Sequence, residues 1–511
     1  MRRELLLYLI FSVSLLSTSL AEADQPNVIV ILADDMGYDS VSGLNANMGM
    51  ETPSIDQLMR EGFSFTDAHS TSAVCTPTRY GLLTGRYSWR SRLKRGIVGV
   101  WERPLIEDER LTLPEMFRHH GYDTACIGKW HLGWNWPKKG GGTTTKESEI
   151  DFTAPVKGGP NDHGFDYYFG DDVPNWPPYI WRENDRLLGE ITARMKSGAM
   201  VGVSAGPAVA KWDFRAVLAE YSKRCGQYIR DRREQEKPFF LYVPLPSPHT
   251  PIAPHKNYQG KSKVSEYADF LIQTDAAIGE IMLALQESKQ DENTLVFFTC
   301  DNGTSNKANF AQLDAGGIHL NENWRGWKAD AYEGGHRVPF FVRWPGKIKS
   351  GSSSSETITL ADIMATCASV LDHPLPTNAA EDSVSLLNTL LGQKAEQPLH
   401  PVVVHHSVSG HFAIRQGKWK LLFCRGSGGW SPPREAAAAK QNLPPIQLFN
   451  LVEDPKETQN LQAQYPAVVE ELTAKLRQVI ECGRSTPGPN QANHAGATWW
   501  PGLPWKKPSQ K

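Results

Sequence analysis

The residues with the most chemical potential lie in one short run, Cys75-Thr76-Pro77-Thr78-Arg79. Pro77 suits the first turn of a helix, where no backbone donor is needed, so Cys75 is expected just ahead of a helix N-terminus. Free backbone donors and the positive end of the helix dipole would lower a thiol pKa there and attract an anion. Arg79, one turn on, adds a planar cation suited to an oxyanion. The run reads as a reactive cysteine or an anion site, with a buried structural cysteine as the plain alternative. Two further groups carry oxygen ligands: Asp34 and Asp35 follow the apolar run 27–33, and Asp301 and Asn302 follow the run 294–300. Such an all-oxygen set suits Ca2+ or Mg2+ and not zinc. A single acidic pair after a strand is equally well a turn or a helix cap. Asn302-Gly303-Thr304 is also a glycosylation sequon, which a ligand role for Asn302 would silence.

Groups so far apart in sequence need a sheet to bring them together. Short runs rich in valine, isoleucine and phenylalanine alternate with longer helical patterns, which predicts an α/β domain with a large, mostly parallel or mixed, buried sheet. The clearest strands are 27–33, 238–245, 294–300 and 338–344. Ligands in open α/β sheets bind outside the carboxyl ends of strands, so the two acidic ends are expected to face one crevice. Thr52 and Pro53 open one predicted helix, and a longer one runs from Ser265 to Ser288. From about His400 the texture changes to short strands at 401–407, 411–417, 418–424 and 446–451, followed by an amphipathic helix over 466–482. The predicted organisation is a leader over 1–23, an α/β catalytic domain over 24–398, a small antiparallel sheet with one helix over 399–485, and an irregular, proline- and tryptophan-punctuated tail over 486–511.

The leader is read from the basic start Met1 to Glu4, the apolar run Leu5 to Leu16, and small residues around Ala21 and Ala23. It predicts export to the periplasm or the outside. The run is short for a membrane span and no later segment approaches one, so no membrane attachment is expected after cleavage. The 511 residues, 40% hydrophobic, can bury one large core and one smaller one. A formal net charge of -2 without a long basic run gives no reason to expect a nucleic-acid partner. Seven cysteines with no close pair indicate neither a disulfide scaffold nor a zinc knuckle, and Cys75 is the natural one to be left over.

The segments AVCTPTRYGLLTG (73–85) and GYDTACIGKWHLG (121–133) resemble the two signature segments of the sulfatases. ILADDMGYD, PSPHTPIAPH, CDNG, RGWKADAYEGGHRVP and LFNLVEDPKETQNL follow in the family's order. The resemblance runs from Asn27 to the C-terminal helix and leaves out 141–225 and the tail. Thr78 stands where serine is more usual and keeps the hydroxyl. What it implies is a formylglycine-dependent, arylsulfatase-like enzyme with an alkaline-phosphatase-like α/β sandwich. In that family a maturation enzyme oxidises the cysteine, here Cys75, to Cα-formylglycine. One oxygen of the hydrated aldehyde attacks sulfur, and the other expels sulfate. By the same resemblance Asp34, Asp35, Asp301 and Asn302 hold Ca2+, which also touches the modified Cys75. Arg79, Lys129 and Lys328 neutralise the sulfate, His131 holds or deprotonates the diol, and His249 protonates the leaving alcohol. The implied substrates are sulfated carbohydrates or aryl sulfates. Hydrolysis of phosphate or phosphonate esters on the same scaffold, and non-catalytic binding of sulfated glycans, stay open. Tryptophans at 134–139 and 171–181 offer surfaces for sugar stacking, against the plain alternative of packing. His255, His336, His405 and His406 are set aside as bystanders, though the last two open a strand within reach of the pocket, and Arg337 is read as structural.

Overall fold

Asparagine apart, the stretch Asn27–Ala33 is unbroken valine, isoleucine, leucine and alanine, and it forms a strand buried along both faces. Only a strand covered by helices on either side can be apolar throughout. The computed structural model describes residues 25–497 together with Trp500, Leu503 and Trp505. The expected leader lies outside the described residues. Around β1 (Asn27–Ala33) the large sheet collects β2 (Phe63–His69), β3 (Asp123–Ile127), β4 (Tyr167–Gly170), β5 (Arg182–Glu183) and β6 (Arg186–Leu187). After a separate ribbon, β7 (Ala193–Met195) and β8 (Gly206–Ala208), it adds β9 (Phe239–Pro244), β10 (Thr294–Cys300), β11 (Phe340–Arg343) and β12 (Ser352–Thr359).

The ten strands run in the order β12-β2-β11-β10-β1-β9-β3-β4-β5-β6. The centre, β10 through β4, is parallel. The flanks are mixed: β11 is antiparallel to both β10 and β2, and β5 and β6 return antiparallel beyond β4. β11 runs back beside β10 through a connection whose helices, Asn306–Ala308, Phe310–Ala315 and Glu333–His336, are all short. Two groups of helices cover the sheet. Pro53–Glu61 (α1), Val217–Asp231 and Glu266–Glu287 pack together, and Cys75–Thr84 (α2) packs with Leu113–His119 and Asp362–Val370.

The smaller sheet is an antiparallel meander, β13 (Val403–His406), β14 (Phe412–Gln416), β15 (Trp419–Leu422) and β16 (Gln447–Asn450). Leu472, Leu476, Val479 and Ile480 of the helix Pro466–Glu481 close its apolar face. Tyr87 and Trp89, just beyond α2, belong to the same core and tie the two sheets together. The tail is less superficial than expected: Trp500 is buried, and its indole donates to the Trp89 carbonyl at 3.0 Å. All seven cysteines are free thiols. No helix among the described residues is long and apolar enough to cross a membrane.

Candidate active site

Four neighbouring parallel strands deliver the site. Ala33 pairs with Cys300, so Asp34–Asp35 and Asp301–Asn302 leave β1 and β10 side by side. The Asp301 amide donates to the Ala33 carbonyl (3.1 Å), and the Asp35 amide to Asp301 Oδ1 (3.2 Å). On the other flank of β1, β9 runs on to His249, and β3 runs on through Gly128 to Lys129 and His131. A side chain at Gly128 would collide with the Pro244 carbonyl, and its φ of +141° suits glycine alone; the Lys129 amide then donates to that same carbonyl at 2.8 Å. The crevice outside these strand ends is where an open α/β sheet places a ligand. Asp35 and His131 both hold left-handed backbone (φ 65° and 56°), a strain of order 1 kcal/mol each that clusters at functional positions.

α2 brings residue 75 to this edge. Val74 is its extended N-cap, so Cys75 is the first helical residue, one place further in than the position of Pro77 predicted. All ten residues of α2 are buried. Cys75 Sγ lies 3.3 Å from Lys328 Nζ and 3.6 Å from Asp34 Oδ1. Arg79, one turn on, donates to Asp301 Oδ2 (2.8 Å) and to the Lys129 carbonyl (3.0 Å), and stands 3.6 Å from Asp34 Oδ2. Lys129 Nζ donates to Asp34 Oδ2 at 2.5 Å, and Lys328 is ion-paired with Asp35. Lys328 arrives on a long loop that is pinned where Gly303 touches the Gly334 backbone. All ten residues picked out for the site therefore meet at this one edge of the sheet.

Three carboxylates, Asp34, Asp35 and Asp301, face three cations, Arg79, Lys129 and Lys328, and all six side chains are buried. Burial raises the Asp34 carboxyl, but Lys129, with His249, Arg79 and Lys328, outweighs it and holds the group well below the usual range. At Asp301 burial and the neighbouring Asp34 act together, and the carboxyl is pushed up to about 6 despite Arg79. Burial works against the Lys129 and Lys328 ammoniums, yet Asp34 and Asp35 hold both above the usual lysine range. The thiol behaves against expectation. Burial pushes Cys75 up to about 12, and neither the helix end nor Lys129 and Lys328 offsets the loss of solvent. A thiol held in that state is a poor nucleophile.

The donor set fits a hard divalent cation. Asn302 Nδ2 donates to Asp35 Oδ1 (2.8 Å), while Asn302 Oδ1 is buried with no hydrogen-bond partner among the described residues. An orphaned buried acceptor beside carboxylates is what an oxygen-loving ion would satisfy. Ligand atoms of Asp34, Asp35, Cys75 and His249 all lie within 4.8 Å of one another. Asn302 is fully buried, which closes its sequon to glycosylation in the folded chain.

His131 and His249 are poised differently. His249 Nδ1 is 2.6 Å from the Thr250 carbonyl and so carries the proton, leaving Nε2 toward the site, 3.9 Å from Asp35 Oδ2. Burial, then Lys129, brings His249 down to about 4. Both ring nitrogens of His131 lack hydrogen-bond partners among the described residues, and burial with Lys129 and Arg79 keeps the ring neutral. Its orientation comes from residues the sequence reading passed over. Asp172 Oδ1 accepts the His131 amide (3.0 Å), and the half-buried Trp176 stands edge-on to the imidazole with centroids 5.1 Å apart. Asp171 and Asp172 follow β4 just as Asp34 and Asp35 follow β1, and β4 is parallel to β3. An acidic pair at a strand end was thus the available signal. Of the histidines set aside, His336 and His405 touch no catalytic side chain, and His406 approaches only through its carbonyl.

The comparisons with known proteins agree with this layout. The family model Sulfatase matches residues 26–373, and that of the C-terminal region of aryl-sulfatase matches 399–509. The N-acetylgalactosamine-6-O-sulfatase of Bacteroides thetaiotaomicron is 32% identical over 89% of this chain and 93% of its own. Arylsulfatase A of Bos taurus is 31% identical over 91% and 89%. A solved structure from Bacteroides thetaiotaomicron, described through its metabolism of multiple glycosaminoglycans, superposes with a TM-score of 0.76 at 31% identity, covering 89% of this chain and 99% of that one.

Proposed function

This chain belongs to the sulfatase family of sulfuric ester hydrolases, and on that premise we propose that it hydrolyses sulfate monoesters of carbohydrates, with residue 75 oxidised to formylglycine and calcium bound beside it. The carrying observation is the seat of residue 75: the first residue of a buried helix, 3.3 Å from Lys328 and 3.6 Å from Asp34, beside two acidic strand ends. A thiol pushed up to about 12 supports a role for this position that does not use the sulfur. Asp34, Asp35, Asp301 and Asn302 would hold the cation, and the orphaned Asn302 Oδ1 is the atom that most needs it. Together the two groups would supply a hydrated aldehyde able to attack sulfur and then release sulfate, and a divalent charge that would ease the build-up of negative charge.

The protein's own groups do the rest. The three carboxylates and three cations balance, so a bound divalent ion leaves the pocket positive and receptive to R–O–SO3−. Lys129 and Lys328 are placed to take sulfate oxygens, and Arg79, pinned to Asp301, keeps residue 75 against them. His131 takes up the proton of the attacking hydroxyl at a ring nitrogen. His249, its Nδ1 fixed on the Thr250 carbonyl, delivers a proton from Nε2 to the leaving alcohol oxygen. A neutral His249 must first gain that proton, which the anionic substrate favours by raising its pKa. The net change is R–O–SO3− plus water to alcohol, sulfate and a proton.

One relative is named an N-acetylgalactosamine-6-O-sulfatase, and a solved structure at 31% identity is described through the metabolism of multiple glycosaminoglycans. Trp176 supports a sugar here, because a half-buried indole beside His131 offers an apolar wall to the leaving alcohol. We read the enzyme as exported, on the leader in 1–23, where it would meet such esters after maturation of Cys75. The test is sulfate release from a panel of mono- and oligosaccharide sulfates beginning with N-acetylgalactosamine 6-sulfate, alongside an aryl sulfate and its phosphate and phosphonate counterparts. Mass spectrometry of the peptide carrying residue 75, from the native host, accompanies it. Conversion at residue 75 with preference for a sugar sulfate supports the reading; an intact thiol, or preference for phosphonate, overturns it. Trp176→Ala should raise KM for the preferred sugar sulfate roughly tenfold, about 1.4 kcal/mol, with kcat little changed.

A further inference from the structure

Beside the segment that leads from β2 to residue 75, three histidines from distant parts of the chain form one buried layer. His69 ends β2, His336 ends the short helix Glu333–His336, and His405 lies in β13 of the smaller sheet. All three are fully buried. The His336 and His405 rings stack at 3.9 Å with 12° between their planes, and His69 lies 5.1 and 4.8 Å from them. His69 Nδ1 meets His336 Nδ1 at 3.0 Å.

The charged neighbours decide where the protons sit. His69 Nε2 lies 3.0 Å from Asp67 Oδ1, which favours a proton there, and 3.2 Å from Arg415 Nη1, which favours a lone pair. His336 Nε2 lies 3.1 Å from the Lys420 ammonium, which favours a lone pair, and 3.3 Å from the Ala331 carbonyl, which favours a proton. One arrangement suits the nearer partner of each ring: Lys420 donates to His336, whose Nδ1–H donates to His69, whose Nε2–H donates to Asp67. Every ring is then neutral. The surrounding charges agree, since Asp67, Glu333 and Glu457 pair with Arg337, Lys420 and Arg415 at 2.7 to 3.0 Å. A fourth cation has no carboxylate left to meet it.

The same cluster also has the composition of a metal centre, with ligand atoms of His69, Glu333, His336 and His405 within 4.8 Å of one another. Its geometry is wrong for one. An imidazole binds a metal in its own plane, so an ion in the plane of His336 would lie over the face of the parallel His405. Lys420 already stands at His336 Nε2. His405 has no partner for either nitrogen among the described residues, and what it contributes is a stacked ring.

The layer connects directly to the nucleophile loop. Between β2 and Cys75, the Ser70 amide donates to the His336 carbonyl (2.8 Å), and the Ala73 amide donates to the His406 carbonyl (3.0 Å). Ser72 Oγ also donates to the His406 carbonyl (2.9 Å), and Thr78 Oγ1 of α2 donates to the Ser72 carbonyl (2.9 Å). Segment 70–74 thus hangs between the backbones of residues 336 and 406, and the stacked rings of 336 and 405 set the distance between those two supports. We infer that His69, His336 and His405 are positioning residues: a neutral imidazole layer, bridging the two sheets, that sets the place of residue 75 without touching substrate.

The test compares His405→Ala and His405→Gln, which lose the stack, with His405→Phe and His405→Tyr, which keep a ring. It relies on the hydrolase reading only for its turnover assay, so hydrogen exchange of the 70–74 amides is followed in parallel, and conversion of residue 75 is measured in every variant. The alanine and glutamine variants should lose at least about tenfold in kcat per converted enzyme, with KM within about twofold, since an ångström of misplacement costs that much or more. Their 70–74 amides should exchange faster. At least one of the two aromatic variants should return kcat to within about threefold of wild type and restore slow exchange. The inference fails if alanine leaves kcat and exchange unchanged, or if neither aromatic ring does better than alanine. Should the unmutated chain show no sulfate release, the exchange arm still decides the matter, and that silence counts against the function alone.

Discussion

Two buried ionic clusters flank the nucleophile loop of this protein, and they differ in what they join more than in charge. At the crevice, Asp34, Asp35 and Asp301 face Arg79, Lys129 and Lys328. Behind the nucleophile loop, Asp67, Glu333 and Glu457 face Arg337, Arg415 and Lys420. Each balances three against three. The crevice gathers its groups at the ends of parallel strands and leaves the Asn302 carbonyl oxygen and both His131 nitrogens without hydrogen-bond partners among the described residues. The rear cluster has unpaired nitrogens of its own on His405 and a left-handed residue in Glu457 (φ 51°), but it joins β2 and the helix Glu333–His336 to the smaller sheet. Buried ion pairs contribute little net stability when complete and cost much when broken. A cluster at strand ends with an orphaned oxygen acceptor beside its carboxylates is accordingly a place for a cation, and one whose ion pairs join two sheets is a fastening.

If that contrast is right, substitutions at the crevice cost turnover first. Cys75→Ser should lower kcat on the order of 10⁴-fold or more while leaving the thermal midpoint near that of the parent, because a hydroxyl fits where the thiol lay. Multiple turnover by that variant, measured as sulfate released per mole of enzyme, would break the comparison at its strongest point. Asp301→Ala should cost about 10³-fold and let calcium escape on dialysis, read by elemental analysis. Activity that survives full removal of calcium would take the cation out of the scheme.

Much of this layout was legible before any coordinates. β1 and β10 run over the same residues as the apolar stretches that predicted them, because continuous β-branched and aromatic runs leave a buried strand little alternative. Their acidic ends meet because neighbouring parallel strands end on one edge. What was not legible depends on burial. The thiol of Cys75 was expected low from its helix end, but desolvation is a property of the whole fold and it dominates. Asp172 was within reach, yet the segment around it was read only for its tryptophans. The histidine layer gave no signal at all, since residues 69, 336 and 405 share no spacing and their rings meet only when the smaller sheet docks.

The rear cluster, by contrast, should fail in stability first. Lys420→Met removes the one cation that serves both Glu333 (2.9 Å) and Glu457 (2.9 Å). Burial and Glu333 already push Glu457 up to about 7 against the pull of Lys420, so without the ammonium it should fold protonated. Removing this buried partner, with Arg337 (3.0 Å) left to face Glu333, should cost about 3 kcal/mol, seen as a lower urea midpoint. A midpoint unchanged within error would mean that the rear cluster fastens nothing.

The smallest effect separates the two clusters by pH. Burial lowers the pKa of His69, and burial with Lys420 and the neighbouring rings holds His336 and His405 well below the usual histidine value. In the unfolded chain each takes a proton near pH 6.5, whereas in the folded chain it stays neutral to lower pH. The unfolded state therefore binds more protons below about 6.5. Stability from these groups is complete above that pH and drains as the pH falls, by about 1.4 kcal/mol per unit for each histidine. His405→Phe removes one such group without removing the ring. Its unfolding free energy, measured in urea between about pH 6.5 and 5, should fall about 1 kcal/mol per unit less steeply than that of the parent. Parallel slopes would mean that His405 titrates alike in both states, and the neutral layer would then lose its electrostatic basis even if the stack remained.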